Sequence, residues 1–186
     1  MYTKVSIPKA ADGAGCAVAK DPTVILMDVE DITVEPTRDH GNVALSGDFT
    51  LGTAGKAVGV YATPSTIEEI PEYGGDVDAR GVKQGVSFEH PGNDDAVANF
   101  REHCLNRGFV VLVKECNGAS GTYRAFGSKC NPMYVTPEVT NNRDANKTKF
   151  TFKQEQNGIF EPGKYSGIIP TLADAPSEGS GSGDGA

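Results

Sequence analysis

Nine short segments with the character of β-strands run through this chain of 186 residues, and Gly, Pro or Asn residues separate most of them. They cover residues 23–27, 31–35, 43–51, 57–62, 77–89, 109–114, 122–126, 133–139 and 148–154. With 23 Gly, 11 Pro and no Trp, turns are frequent and long helices are disfavoured. The chain is therefore predicted to be mainly β, an antiparallel β-sandwich or a small barrel.

Two of these segments alternate most clearly between apolar and other residues. From Val43 to Thr50, the residues Val43, Leu45, Gly47 and Phe49 occupy alternate positions, and Phe150 and Phe152 do the same beside Thr151 and Lys153. Since side chains of a strand point to opposite faces in turn, each segment is expected to have one dry and one wet face.

A single segment breaks this pattern and predicts an α-helix from about Asp94 to Asn106. Asn93 is a good N-cap residue, two aspartates follow it, and Gly108 is suited to a left-handed C-cap. An apolar stripe at helical spacing indicates that the helix lies on a sheet. The stripe consists of Val97, Phe100, Cys104 and, at its edge, Leu105.

The chain is expected to form one β-rich domain over residues 21–170 with an appendage at each end. Residues 1–20 are predicted to be an arm or loop, because Lys9 to Lys20 is rich in Ala and Gly without helical or strand periodicity. Residues 171–186 are predicted to be a flexible tail, because Gly, Ser and Asp dominate them and cannot repay the entropy of ordering.

The net charge is −8 and the isoelectric point is near 4.9, which disfavours a protein that binds nucleic acid through phosphates. The segment Met1 to Pro8 lacks the apolar core of a signal peptide, and no later segment is apolar enough to span a bilayer. Synthesis and folding in the cytoplasm, without a membrane partner, are the expectation.

The sequence contains only weak motifs for nucleotide binding, nucleophilic catalysis or metal binding. The stretch from Gly52 to Ala57 resembles a phosphate-binding loop but lacks the required first Gly and the final Ser or Thr. Cys104 lies on the predicted apolar stripe, which favours core packing over nucleophilic chemistry. A zinc site assembled through Cys116 and Cys130 is a remote alternative, since the four cysteines form no C-x-x-C pair.

Three acidic groups are candidates for general acids and bases or for calcium ligands: Glu68 with Glu69, Asp76 with Asp78, and Asp94 with Asp95. None matches an EF-hand loop, and the last pair is accounted for by helix capping. Residues 66–75 read as an exposed acidic loop. The prediction is a protein that is not an enzyme, with no catalytic, cofactor-binding or metal-binding residues.

A series of turns and strands in the second half of the chain forms a recognisable order. It consists of the capped helix, the apolar strand Phe109 to Val113, the Asn117-Gly118 turn, the run from Phe126 to Met133 (FGSKCNPM), the polar loop from Thr140 to Asn146 and the last strand around Phe150 to Phe152. This order of turns and strands resembles the C-terminal half of tail tube proteins from tailed bacteriophages and related injection machines. The resemblance covers roughly Val86 to Lys164, under half of the chain.

This resemblance implies a structural virion protein whose copies form hexameric rings that stack into a hollow conduit. DNA would pass without specific binding, other tail proteins would be partners, and no catalytic residues or cofactors are implied. Acidic residues facing the lumen would repel DNA. The part through Gly59 does not match this pattern, so a tail terminator, baseplate or decoration protein is the alternative within the same class.

Two other classes remain open from sequence. One is a monomeric carbohydrate- or ligand-binding β-sandwich, motivated by Tyr73, Tyr123 and Tyr165 as exposed residues that stack on a sugar. The other is a cysteine- or metal-dependent enzyme built around His103, Cys104, Cys116 and Cys130. The sequence favours the structural subunit over both.

Overall fold

The computed structural model describes residues 4–12, 14–116 and 122–175, which contain thirteen β-strands and one α-helix. The strands are β1 (Lys20–Asp28), β2 (Ile32–Val34), β3 (Thr50–Leu51), β4 (Val58–Tyr61), β5 (Glu68–Glu69), β6 (Glu72–Gly74), β7 (Gly81–Lys83), β8 (Gly85–Pro91), β9 (Phe109–Glu115), β10 (Tyr123–Phe126), β11 (Met133–Asn141), β12 (Asn146–Gln154) and β13 (Gly163–Tyr165), and the helix is α1 (Asp95–Cys104). The predicted mainly β, antiparallel fold with one flanking helix is confirmed, and its main sheet of nine strands does not close into a barrel.

Strand β9 lies at the centre of one half of this sheet. It pairs antiparallel with β1 on one edge and with β10 on the other, while β4 extends the sheet beyond β1 and β13 extends it beyond β10. The other half runs in the order β11, β12, β8 and β5. A single pair, Met133 with Phe109, joins β11 to β9, so the two halves are free to fold over one another.

The larger core cluster lies between the two halves. Leu26 of β1 and Val111 of β9 contribute from one half, and Phe88, Phe150 and Phe152 contribute from the other, all with at most 1% of their surface exposed. The phenylalanine rings contact each other, with Phe88 and Phe152 stacked at 5.9 Å between centroids. This inter-layer core is the sandwich expected from the alternation in β12.

A second core cluster covers the opposite face of β1 and β9. Met27 and Leu112 are fully buried there against Ile32 of β2, Phe49 and Tyr165. The hydroxyl of Tyr165 donates to the carbonyl oxygen of Ile168 at 2.5 Å. Because both faces of β1 and β9 are covered, their sequences are continuous apolar runs and do not alternate.

Helix α1 closes one side of the larger core through Val97, Phe100 and Cys104. Its N-cap is Asp94, whose side chain accepts a hydrogen bond from the Val97 amide at 2.9 Å, so the predicted cap at Asn93 was wrong by one residue. Asn93 instead accepts a hydrogen bond from Arg101.

The predicted role of Gly108 as a left-handed C-cap was also wrong, because its φ lies outside the left-handed region. A Cβ at this position would lie 2.7 Å from Cβ of Pro132, so the glycine permits a close approach between two chain segments.

The predicted strand over residues 43–51 is reduced to β3. Gly47 adopts a φ of +99°, which interrupts the extended backbone, and Ala44 and Ser46 form only isolated bridges. The predicted strand 77–89 divides into β7 and β8, and Asp78 has a φ of 70° in the turn before them. Strands β5, β6 and β13 were not predicted.

The predicted appendages are described only in part. Residues 4–12 are exposed and belong to no helix or strand. Of the predicted tail, Thr171 accepts a hydrogen bond from the Ala57 amide at 3.0 Å and Ala173 donates to the Ala57 carbonyl at 2.7 Å. Residues 176–186 and the predicted Asn117-Gly118 turn lie outside the described residues.

Candidate assembly surface

The outer edge of the sheet at β13 is covered by the chain itself. The Leu45 amide donates to the Lys164 carbonyl at 2.8 Å, and the Lys164 amide donates to the Val43 carbonyl at 2.7 Å. The first residues of the predicted strand, 43–45, thus cover this edge through one short parallel bridge.

At the opposite end of that half-sheet, β4 is covered at its beginning. Residues 171–173 run parallel to Ala57, the residue before β4, and Leu172 approaches Gly59. A salt bridge of 2.9 Å between Lys56 and Asp174 lies at the same place. The chain therefore covers the β13 edge and the start of the β4 edge with its own segments, as proteins that avoid unwanted sheet extension do.

The outer edge of β11 has no such cover. All nine residues of β11 pair with β12, whereas on the other edge only Met133 has a strand partner, Phe109. In the described part of the chain no strand pairs with the outer edge of residues 134–141. This is the longest unpaired strand edge in those residues.

The direction of the backbone groups along β11 follows from one hydrogen bond. The Gln154 amide donates to the Gln84 carbonyl at 3.1 Å, so backbone groups of Gln154 point away from β11. Because these directions alternate along an antiparallel strand, Phe152, Phe150 and Thr148 point the same way. Their partners in β11 therefore direct their amide and carbonyl groups to the free edge; these partners are Val135, Pro137, Val139 and, beyond them, Asn141.

Pro137 modifies this edge in a definite way. It has no amide hydrogen, so it contributes a carbonyl acceptor but no donor, and its place in an otherwise regular strand is typical of sheet edges. The edge consequently offers more acceptors than donors. A segment that adds to it must supply amide hydrogens opposite Pro137.

Apolar side chains accompany the free edge. A shallow groove beside its first residues is lined by Leu105, Pro132 and Tyr134 together with polar and charged side chains such as that of Lys153, and 51% of Leu105 is exposed. Farther along, Val139 lies on the core-facing side of β11, yet 49% of it is exposed. An uncovered edge flanked by apolar residues is a surface suited to a protein partner.

The outward face of the same sheet is strongly charged. Lys147 forms a salt bridge of 2.8 Å with Glu89, and Lys153 forms one of 2.5 Å with Glu72. The hydrogen bond from Lys153 lowers the pKa of the Glu72 carboxyl group. The Lys153–Glu72 pair is exposed and the Lys147–Glu89 pair is partly exposed, and such pairs contribute little to stability. Their charges keep this face of the sheet in contact with water.

A separate cleft of about 280 Å³ lies between the loop at residues 158–161 and the segment around Arg38. The Arg38 guanidinium lies 4.8 Å from the centroid of the Phe160 ring and donates to the Glu161 carbonyl. Partial burial lowers the pKa of Arg38. The cation is thus held by an aromatic ring and a backbone oxygen.

The floor of this cleft is a closed hydrogen-bond network. Gln84 donates to the Phe160 carbonyl at 2.9 Å and accepts from the Gly127 amide at 2.7 Å, while the Gln154 side chain accepts from the Gln84 amide at 2.9 Å. Among the described residues, every buried side-chain polar atom has a hydrogen-bond partner. The network joins the residue before β8, the residue after β10 and the last residue of β12, and this favours a structural role for the cleft.

The cysteines lie apart from one another. Cys104 is 3% exposed in the larger core, and burial raises the pKa of its thiol to about 12, which suits core packing and opposes nucleophilic chemistry. Cys16, Cys116 and Cys130 are exposed and unpaired by disulfides. Within residues 4–12, 14–116 and 122–175, no three His, Cys, Asp or Glu residues come together in a group that suits a metal ion.

The acidic clusters are separated by the fold. Glu69 pairs with Arg124 at 3.2 Å, and Asp94 caps α1. The predicted exposed loop over residues 66–75 contains the short strands β5 and β6, which sequence reasoning missed. No general acid–base pair was predicted at these positions. In the structure Glu69 forms an ion pair and Asp94 caps a helix, so the contacts of both residues are structural.

The tyrosines proposed to stack on a sugar do not share a surface environment. Tyr73 is 68% exposed on β6, Tyr123 is partly buried, and Tyr165 is fully buried. The interpretation of Tyr165 as an exposed residue was therefore wrong, and burial raises the pKa of its hydroxyl group.

Sequence reasoning did not identify the β11 edge, although one signal was present. Pro137 inside a nine-residue strand that alternates between apolar and polar residues is typical of an edge position. Comparison of the chain with protein-family models, with curated proteins and with solved structures found no match. The single helix described, of ten residues, is too short and polar to cross a membrane.

Proposed function

We propose that this chain is a structural subunit of a bacteriophage tail tube or a related injection machine, which assembles into rings that stack as a hollow conduit. The observation that carries the proposal is the free edge of β11, the longest edge left open in the described residues, whereas the chain covers the β13 edge and the start of the β4 edge. The role is non-enzymatic, and hexameric rings are the assembly implied by the resemblance described above.

The physical argument begins with the hazard of an open edge. Unpaired amide and carbonyl groups on a strand template the addition of another chain, so a soluble protein that has no use for an edge normally blocks it. Joining this edge to a different surface of the next copy is a head-to-tail contact. Such contacts generate a ring when the rotation between copies closes, and filaments or tubes when it does not.

The charge of the chain is consistent with a conduit. A net charge of −8 repels DNA phosphates, which allows passage without binding. The closed network under the cleft and the buried thiol of Cys104 also favour a structural role over catalysis. Other tail proteins are the proposed partners, and the virion is the proposed location.

Negative-stain microscopy of the concentrated protein, with mass from light scattering over a range of concentrations, tests this proposal. Hollow rings or tubes of fixed subunit number are expected. Val139→Arg should abolish them, because a charge at the free edge opposes close packing, whereas the matched Val34→Arg, at a valine 53% exposed on β2, should leave them intact. A monomer of 19.5 kDa at every concentration would contradict the proposal.

A further inference from the structure

The arm at residues 4–8 is the segment of this chain best suited to the free edge. We propose that residues 4–8 of one copy add as a strand to the outer edge of β11 in a second copy. This inference rests on the proposed function, because it requires copies of the chain to assemble, and it names the segment and the edge that join them.

The arm displays apolar residues that nothing in the described part of the chain covers. Val5 is 69% exposed and Ile7 is 96% exposed, and the segment belongs to no helix or strand. The salt bridge nearest to residues 4–8 in sequence joins Lys9 to Asp12 and therefore does not involve them. Exposure of two apolar side chains to water is unfavourable in free energy, and burial against a partner would remove this penalty.

The pattern of the arm matches that of the edge. In an added strand Val5 and Ile7 share one face, and Lys4 and Ser6 share the other. Along β11, Val139 lies on the core-facing side and Glu138 on the outward side. A strand that places Val5 and Ile7 beside the exposed Val139 therefore brings Lys4 to the face that carries Glu138. Apolar side chains then pack against an apolar side chain, and the lysine lies on the same face as a carboxylate of opposite charge.

The lengths and the hydrogen-bonding groups also agree. Five residues of arm span roughly 16 Å as a strand, which is the span of residues 135–139. The edge offers carbonyl acceptors at Val135, Pro137 and Val139, and the arm supplies amide donors up to Pro8, which has none. Pairing of two β11 edges with each other is less favourable, because each would place a proline without a donor in the ladder.

A peptide experiment tests the contact independently of ring formation. A labelled peptide of residues 4–12 is titrated into protein that lacks residues 1–12, and fluorescence anisotropy reports binding. Saturable binding is expected, weakened at least about tenfold by Val5→Asp with Ile7→Asp in the peptide, because charges replace the two side chains to be buried. Val139→Arg in the protein should weaken binding similarly, and Val34→Arg should not. Equal binding of both peptides, or no binding, would overturn the inference.

Disulfide trapping in the full chain tests which copy provides the arm. In a background with Cys16→Ser, Cys116→Ser and Cys130→Ser, chains with Ile7→Cys are mixed with chains carrying Val139→Cys. A covalent dimer of the two is expected, and none with Val34→Cys in place of Val139→Cys. If the double variant Ile7→Cys with Val139→Cys forms only an intramolecular disulfide, the arm binds its own chain and the inference is wrong.

The outcomes separate this inference from the proposed function. Rings that form equally well without residues 1–12, with no trapped dimer, would overturn the arm contact and leave the ring-forming role standing. Peptide binding at β11 by a protein that never forms rings would support the arm contact and contradict the tube. Loss of rings on removal of the arm, together with the trapped dimer, supports both.

Discussion

Strands β1 and β11 are each nine residues long but lie in opposite environments. β1 is paired on both edges, by β4 and β9, and residues 24–27 are buried on both faces. β11 is paired along one edge, and Tyr134, Thr136 and Glu138 face solvent. The comparison indicates a division of labour, in which the β1 region holds the fold together and the β11 region is available for contact.

The sequences of the two strands record this difference. β1 contains the uninterrupted apolar run Val24 to Met27, whose exposure to water would be energetically unfavourable. β11 alternates and carries Pro137, which a central strand excludes because it breaks the ladder. Changes in β1 should therefore alter stability, and changes in β11 should alter assembly.

The largest effect is expected from Leu26→Ala. Leu26 is fully buried in the larger core, so the substitution should lower the free energy of unfolding by about 2–5 kcal/mol. Val139→Ala, at a half-exposed position of β11, should lower it by less than about 1 kcal/mol. Urea denaturation of both variants makes the comparison, and equal losses would break the distinction between the two strands.

Removal of the Gln84 side chain should have the next largest effect. Gln84→Ala deprives the partly buried Gly127 amide and Phe160 carbonyl of their partners, and an unpaired polar group away from water costs about 1–3 kcal/mol. The expected loss of stability is about 2–4 kcal/mol, measured by urea denaturation. Gln156→Ala is the control, since Gln156 is exposed and uses only its backbone carbonyl, which accepts from Asn131. A loss under about 1 kcal/mol for Gln84→Ala would show that water replaces the missing groups.

The pH dependence of stability should report the buried thiol. Burial raises the pKa of Cys104 from 9.0 to about 12, so the unfolded chain loses this proton first. The contribution of the protonated Cys104 thiol to the free energy of unfolding is complete below pH 9 and is lost as the pH rises through about 12. Over this range the free energy of unfolding should fall by no more than about 1.4 kcal/mol per pH unit. Cys104→Ala should flatten this part of the profile. Tyr165 also has a raised pKa, so the difference between the two proteins is the informative quantity.

A smaller effect is expected at the cap of α1, whose end carries Leu105 beside the free edge. Asp94→Ala removes the acceptor for the Val97 amide and should lower stability by about 1 kcal/mol. Asp94→Asn keeps an acceptor and should restore most of the loss. Thermal unfolding followed by circular dichroism makes the measurement. If the alanine and asparagine variants were equally unstable, the charge of Asp94 and not its hydrogen bond would be the stabilising feature.

Sequence reasoning recovered the elements whose residues are buried in a simple pattern. The continuous runs of β1 and β9, the alternation of β12 and the stripe on α1 each predicted their element. The segment from Val43 to Leu51 misled, because Leu45 and Phe49 alternate with polar residues and pack on the second core without a strand partner along their length. Alternation reports which side chains are buried, and hydrogen-bond partners are a separate property of the fold.

The short strands could not be predicted for a related reason. β5 consists of Glu68 and Glu69, and β13 of Gly163, Lys164 and Tyr165, which are too few residues to show a period. Their conformation is set by the neighbouring strands β8 and β10. The free edge likewise depends on which strand lies beside β11, and only the topology of the whole sheet determines that.

The most direct test of the account is hydrogen exchange of β1 and β11, measured by mass spectrometry in dilute and in concentrated, assembled protein. We expect β1 to be protected in both samples, and the outward amides of Val135 and Val139 to exchange rapidly when dilute and slowly when assembled. Assembled protein in which these two amides still exchange as rapidly as in the dilute sample would contradict the claim that the free edge of β11 joins one subunit to the next.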